Sequence, residues 1–162
     1  MKYFNRDKSI ETCAFCEACK CEDSTDNLII HRGVNAYVIL NLYPYTSGHL
    51  MVVPYVHTNS LNMLDEPTQA ELMALTTQAV ELLKVVYHPQ GFNIGMNLGI
   101  AAGAGIAEHL HMHIVPRWGG DANFISIIGE TRVLPETLDQ TYHRLREAWQ
   151  RLYPEKPIIQ TQ

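Results

Sequence analysis

Apolar residues recur along this chain with two periods, and each change of period marks the border of an element. LIIHRG from Leu28 and AYVILNL from Ala36 are short β-branched runs parted by Arg32-Gly33-Val34-Asn35, which predicts a hairpin. The turn cluster Tyr43 to Gly48 leads into HLMVVP, a third strand that ends at Pro54 and places His49, Met51 and Val53 on one face. Asp65-Glu66-Pro67 then opens a helix that runs to about Tyr87, with Leu72, Leu75, Thr76, Ala79, Leu82, Leu83 and Val86 along its apolar stripe. After His88-Pro89-Gln90-Gly91 the period returns to two, with Phe92, Ile94, Met96 and Leu98 opposing Asn93, Gly95 and Asn97 in a fourth strand. Gly99 to Gly105 is too rich in glycine for a helix and too bare of side chains to pack, which predicts a loop whose backbone makes a close approach.

Glu108 to Trp118, EHLHMHIVPRW, carries the strictest alternation and predicts a fifth strand, stopped by Pro116. His109, His111 and His113 line one face, and Leu110, Met112 and Ile114 line the other. Beyond a turn at Gly119 to Asn123, FISII is a brief apolar run. Leu134 to Tyr153 is a second helix, striped by Leu138, Tyr142, Leu145, Trp149 and Leu152. Short antiparallel strands with a long helix between the third and fourth predict an α+β domain whose helices lie on one side of the sheet. Residues 1–26 form an irregular, cysteine-punctuated arm with one turn of helix, and 27–162 form a single domain.

Composition narrows the partners. The 162 residues, 46% hydrophobic and 18% charged, suit one globular domain, and the net charge of -5 disfavours a surface that coats nucleic acid polymer. The polar start and the absence of any membrane-length apolar run predict a cytoplasmic protein that does not engage membrane. Cys13, Cys16, Cys19 and Cys21 fall within nine residues, which suits metal or free thiols better than a disulfide framework.

The histidine face admits metal binding, nucleophilic catalysis or a merely solvated strand. Positions i and i+4 of a strand lie about 13 Å apart, so three such histidines cannot close on one zinc. A neutral imidazole that attacks while its neighbours orient it is the alternative. Three imidazoles behind a glycine loop, beside Asn93 and Asn97, favour function over a solvated face. Arg117 is the only cation between Lys84 and Arg132, so a phosphate here would rely on backbone N–H groups of the 99–105 loop, including Gly103 and Gly105, with asparagine amides and imidazoles. That suits a phosphodiester or anhydride centre.

His109-Leu110-His111-Met112-His113-Ile114-Val115 resembles the signature of the histidine triad (HIT) family, and the likeness extends from about Cys13 through the second helix. IVPRWGGDANF and NLYPYTSGHLMVVP are similar to the diadenosine polyphosphate branch, which holds bacterial diadenosine tetraphosphate phosphorylases and the fragile histidine triad hydrolases. The resemblance implies a five-stranded antiparallel sheet with helices on one face, a C-terminal helix and a homodimer that pairs through the long helix and a neighbouring strand. It implies a nucleotidyl hydrolase or transferase, a HIT-family enzyme that cleaves dinucleoside polyphosphates. The alternatives are an adenosine phosphoramidase and a non-catalytic nucleotide-binding protein.

Carried over position by position, His111 would be the nucleophile, His113 would contact the phosphate and bridging oxygen, and His109 would orient its neighbour. His49 would support the nucleophile, Asn41 would bind ribose and Asn97 would lie at the phosphates. Relatives often carry a hydroxyl residue just before the triad strand, whereas Gly105-Ile106-Ala107 has none, so backbone donors would take that part. Bacterial members further imply a structural zinc held by Cys13, Cys16, His57 and His109, with no organic cofactor.

Overall fold

The computed structural model describes residues 13–121 and 135–154. The 122–123 end of the expected turn, the FISII run and the first residue of the expected second helix lie outside the described residues. The hairpin forms as β1 (Ile29–Arg32) and β2 (Ala36–Leu40), followed by β3 (Leu50–Pro54), β4 (Gly91–Gly95) and β5 (Met112–Arg117). They build one antiparallel sheet in the order β1-β2-β3-β5-β4.

Register explains which side chains meet. Val38 faces Val52, Leu40 faces Leu50 and Leu50 faces Ile114, which gives one sheet face; Tyr37 faces Val53, Ile39 faces Met51 and Met51 faces His113, which gives the other. Both faces are covered, and every residue of β2 and β3 is buried. On the first face lies α2 (Glu66–Tyr87), with Leu72, Leu75, Thr76, Ala79, Leu82 and Leu83 buried as its stripe predicts. The Asp65 carboxylate caps it by accepting the Thr68 N–H at 3.0 Å, and His88 ends it in the left-handed region.

The C-terminal helix α3 (Leu138–Leu152) packs beside α2, and its Trp149 stacks on His31, whose backbone faces Val38. It begins four residues later than the apolar stripe suggests. Thr137 and Gln140 form a reciprocal capping box, and that polar signal sets the start.

Residues 13–27 cross the opposite face. A single turn, α1 (Ala14–Ala18), buries Phe15, and the Tyr37 hydroxyl donates to the Phe15 carbonyl at 3.0 Å. Asn27 is buried and donates to the Ala18 and Glu22 carbonyls at 3.1 and 3.2 Å, which folds this segment back onto the sheet. Arg32 and Arg146 both reach Asp23, joining the segment to β1 and α3.

The expected fifth strand is shorter at its front end and longer at its back. Pro54 would face Leu110, but it has no N–H to donate and its carbonyl accepts the His109 ring N–H at 2.9 Å, so the Leu110 N–H bonds the Thr58 carbonyl at 2.7 Å instead, and His109 to His111 lie outside the ladder. At the other end Pro116 remains within the strand, because β3 pairing stops at Ile114 and only the edge strand β4 lies beside it. Its carbonyl accepts the Thr46 hydroxyl at 3.0 Å, which fastens the loop between β2 and β3.

Candidate active site and metal centre

Seven rings run in contact along the second sheet face: His57, His109, Phe15, His111, His113, His49 and Tyr45. Successive centroids are 5.0, 5.5, 5.1, 4.8, 5.1 and 4.7 Å apart. His49, His109 and His111 are 0%, 2% and 5% exposed, so each buried imidazole must find partners for its polar atoms.

Those partners settle the tautomers. The main-chain carbonyl of His109 lies 2.8 Å from His111 Nδ1; a carbonyl only accepts, so His111 carries its proton on Nδ1 and a bare lone pair on Nε2. The Tyr45 N–H donates to His49 Nδ1 at 3.1 Å, so His49 is protonated at Nε2, which donates to His113 Nδ1 at 2.9 Å. His113 therefore presents an Nε2–H donor, on a ring whose centroid lies 4.8 Å from that of His111. Burial holds all four imidazoles below their ordinary range: His49 falls to about 3 and His113 to about 4, with neighbouring imidazoles adding to the effect. Neutral rings make this donor–acceptor pattern the working state at neutral pH.

His109 is set the other way. Its Nε2–H donates to the Pro54 carbonyl at 2.9 Å, which leaves Nδ1 as the basic nitrogen, 3.2 Å from Cys13 Sγ and 3.6 Å from Cys16 Sγ. Cys16 Sγ is also 3.3 Å from His57 Nδ1, and all four donor atoms lie within 4.8 Å of one another. A tetrahedral zinc at about 2.3 Å from sulfur and 2.0 Å from nitrogen separates such ligands by about 3.5 Å, so the set fits that ion. Burial, and then the neighbouring Cys13, push the Cys16 thiol up to about 11, so binding there releases a proton.

The HIT domain family model matches residues 23–120. The chain belongs to the HIT domain family. A HIT relative from Mycobacterium tuberculosis named AP-4-A phosphorylase is 52% identical over 126 residues, which are 78% of this chain and 65% of the relative. The chain thus spans just under two thirds of that protein's length. The asymmetrical bis(5'-nucleosyl)-tetraphosphatase of Schizosaccharomyces pombe is 27% identical over 93 residues, 57% of this chain and 50% of that protein. A solved zinc-bound histidine triad family protein from Mycobacterium smegmatis superposes with a TM-score of 0.69 at 29% identity, covering 87% of this chain and 95% of that one.

Within this HIT domain the residues singled out from the sequence divide into three groups. His49, His111 and His113 share the row, although the hydrogen bond of His49 goes to His113 and not to His111. Asn41 lies against His49, its amide 3.3 Å from Nδ1, while its carbonyl accepts the Tyr43 N–H. Asn97 donates to the Gly103 carbonyl at 3.3 Å. The Gly103 N–H donates to the Ile100 carbonyl, and those of Ala102 and Ala104 donate to the Gly99 carbonyl. The loop closes on itself in a single turn at Ile100–Ala102, with Gly99 and Gly103 at φ of 82° and 84°. Cys13, Cys16, His57 and His109 form the separate metal group.

Two row members were not singled out from the sequence. Phe15 sits between two cysteines whose spacing draws attention to the sulfurs, and Tyr45 lies in a turn cluster read for its shape and its family likeness, with no role given to the ring. The signal for Phe15 was an aromatic residue enclosed by the two cysteines in a mostly polar stretch, since such a residue needs a core to enter.

Proposed function

We propose that this HIT protein cleaves dinucleoside polyphosphates, with diadenosine tetraphosphate the leading substrate, through a nucleotidyl-histidine intermediate at His111. The observation that carries the reading is the complementary protonation of two touching rings, a bare Nε2 on His111 and an Nε2–H on His113, with ring centroids 4.8 Å apart. The names of the tuberculosis and fission yeast relatives support the substrate class.

The His111 lone pair attacks the α-phosphorus, forming a P–N bond as the bridging P–O bond breaks and its electron pair leaves with the nucleoside polyphosphate. The ring then carries a positive charge, and its Nδ1–H is already paired to the His109 carbonyl. The His113 donor meets the charge that develops on the bridging oxygen. Water or inorganic phosphate then attacks phosphorus, the P–N bond breaks, and its pair returns to Nε2. Asn41 and the loop around Asn97, Gly103 and Gly105 are the proposed contacts to ribose and phosphates.

Zinc at Cys13, Cys16, His57 and His109 is proposed as structural: a closed set of two sulfurs and two nitrogens suits it, and the mycobacterial neighbour is zinc-bound. A homodimer, a reducing cytoplasmic setting and the 1–26 arm with a single 27–162 domain complete the proposal. Incubation of diadenosine tetraphosphate with and without phosphate tests the reaction: ADP plus ATP means phosphorolysis, and AMP plus ATP means hydrolysis. Turnover of adenosine phosphoramidates alone would sink the substrate assignment. His111→Ala should lower kcat by more than about 1,000-fold with the fold retained, and undiminished kcat would refute its role.

A further inference from the structure

We infer that the Cys13–Cys16 turn is a positioning device for the His111 imidazole, acting through the His109 carbonyl and the Phe15 ring. The inference rests on the zinc and nucleophile readings above. His109 is engaged at both ends: its ring Nδ1 faces the two sulfurs, and its main-chain carbonyl accepts the His111 Nδ1–H at 2.8 Å. A ligand bond at that ring restrains the residue whose carbonyl aims the attacking lone pair.

Two further contacts make the restraint stiff. The Leu110 N–H bonds the Thr58 carbonyl at 2.7 Å, so the segment between His109 and His111 is tied to the residue after His57. Phe15, between the two cysteines in the chain, lies 5.5 Å from the His109 ring and 5.1 Å from the His111 ring, and is 5% exposed. Its carbonyl is held by the Tyr37 hydroxyl, so the ring is braced against the sheet rather than carried on a free turn. The long helices pack on the other sheet face and share none of these bonds. Loosening the cluster therefore frees the His109 carbonyl and one wall of the His111 ring while the main core stays intact.

The test uses the full chain as purified, its zinc first measured by elemental analysis, then removed by a chelator and restored. Circular dichroism, AMP binding, kcat and KM on diadenosine tetraphosphate, and long-range proton–nitrogen spectra of the imidazoles are followed in parallel. The metal-free protein should keep its helix signal and bind AMP within about twofold of the starting affinity. Its His111 signals should pass from one tautomer to a mixture, and kcat should drop by about tenfold or more with KM little changed, the scale of other losses next to a metal ligand. Zinc should restore both readouts. Phe15→Leu, which leaves the four zinc ligands and an apolar side chain in place and whose zinc content is measured alongside, should show the same tautomer mixing and a smaller loss in kcat.

A single unchanged tautomer in folded, metal-free protein overturns the inference, as does less than about a tenth of an equivalent of zinc in the purified protein. A Phe15→Leu change confined to KM would make that ring a wall of the nucleotide pocket instead. If metal removal unfolds the chain, the zinc-loaded Phe15→Leu spectrum decides alone, and an unmixed tautomer there is a refutation. Absence of turnover by the unaltered protein would defeat the catalytic reading, while the tautomer spectra would still decide this one.

Discussion

His49 shows how a side chain with no solvent contact governs what a neighbour offers to a ligand. Its Nδ1 takes the Tyr45 N–H, its Nε2–H goes to His113, and the proton on the far side of His113 follows. Alternation in the sequence placed three histidines on one face, but their tautomers depend on carbonyls and amides that only the folded backbone brings near. The same geometry has a pH signature. An unfolded histidine titrates near 6.5, whereas burial holds His49 at about 3 and His113 at about 4 in the fold. The folded state favours their neutral forms, so the stability they supply is fully present above about pH 6.5 and is lost as pH falls toward 4. Urea unfolding between pH 7.5 and about 5 should show the midpoint falling, and His49→Gln should flatten the slope. A midpoint independent of pH would contradict the assignment.

At the scale of elements, the order of strands and long helices was legible because both periods are clean. The ends were not, because caps and prolines decide them: the Thr137–Gln140 box delays α3, and Pro54 ends the pairing that His109 to His111 would otherwise join. The metal group was legible only through family likeness, since Cys16 and His57 are 41 residues apart and meet through the fold. Gly48 shows an element junction under close constraint. It sits just before His49 at φ 75°, and a Cβ there would lie 2.9 Å from Leu83 Cδ2 and from Tyr87 Cε2 of α2. Gly48→Ala should therefore cost roughly 1–3 kcal/mol in denaturant unfolding, from left-handed strain and overpacking against the helix. A variant as stable as the parent would show that the junction has slack.

Over the whole molecule, the sheet ends at β4, which pairs with β5 on one side only. Ile94 in β4 and Leu98, three residues beyond the end of that strand, are each 48% exposed, and this edge with the neighbouring α2 is the surface the proposed homodimer would cover. Sedimentation should give twice the chain mass, with Ile94→Lys shifting the population to monomer; a purely monomeric parent protein would remove the dimer from the proposal. Among the described residues no helix is long and apolar enough to cross a membrane.

Arg117 is the only cationic side chain between Gly91 and Asp121, and its guanidinium is already spent on the Asp121 carboxylate and the Asn93 carbonyl. Beside it stands a row of imidazoles that burial keeps neutral. An approaching polyanion thus feels little long-range pull from this stretch. Its capture depends on collisions that already have the right orientation, and the direction of a few short hydrogen bonds does the sorting that charge performs elsewhere.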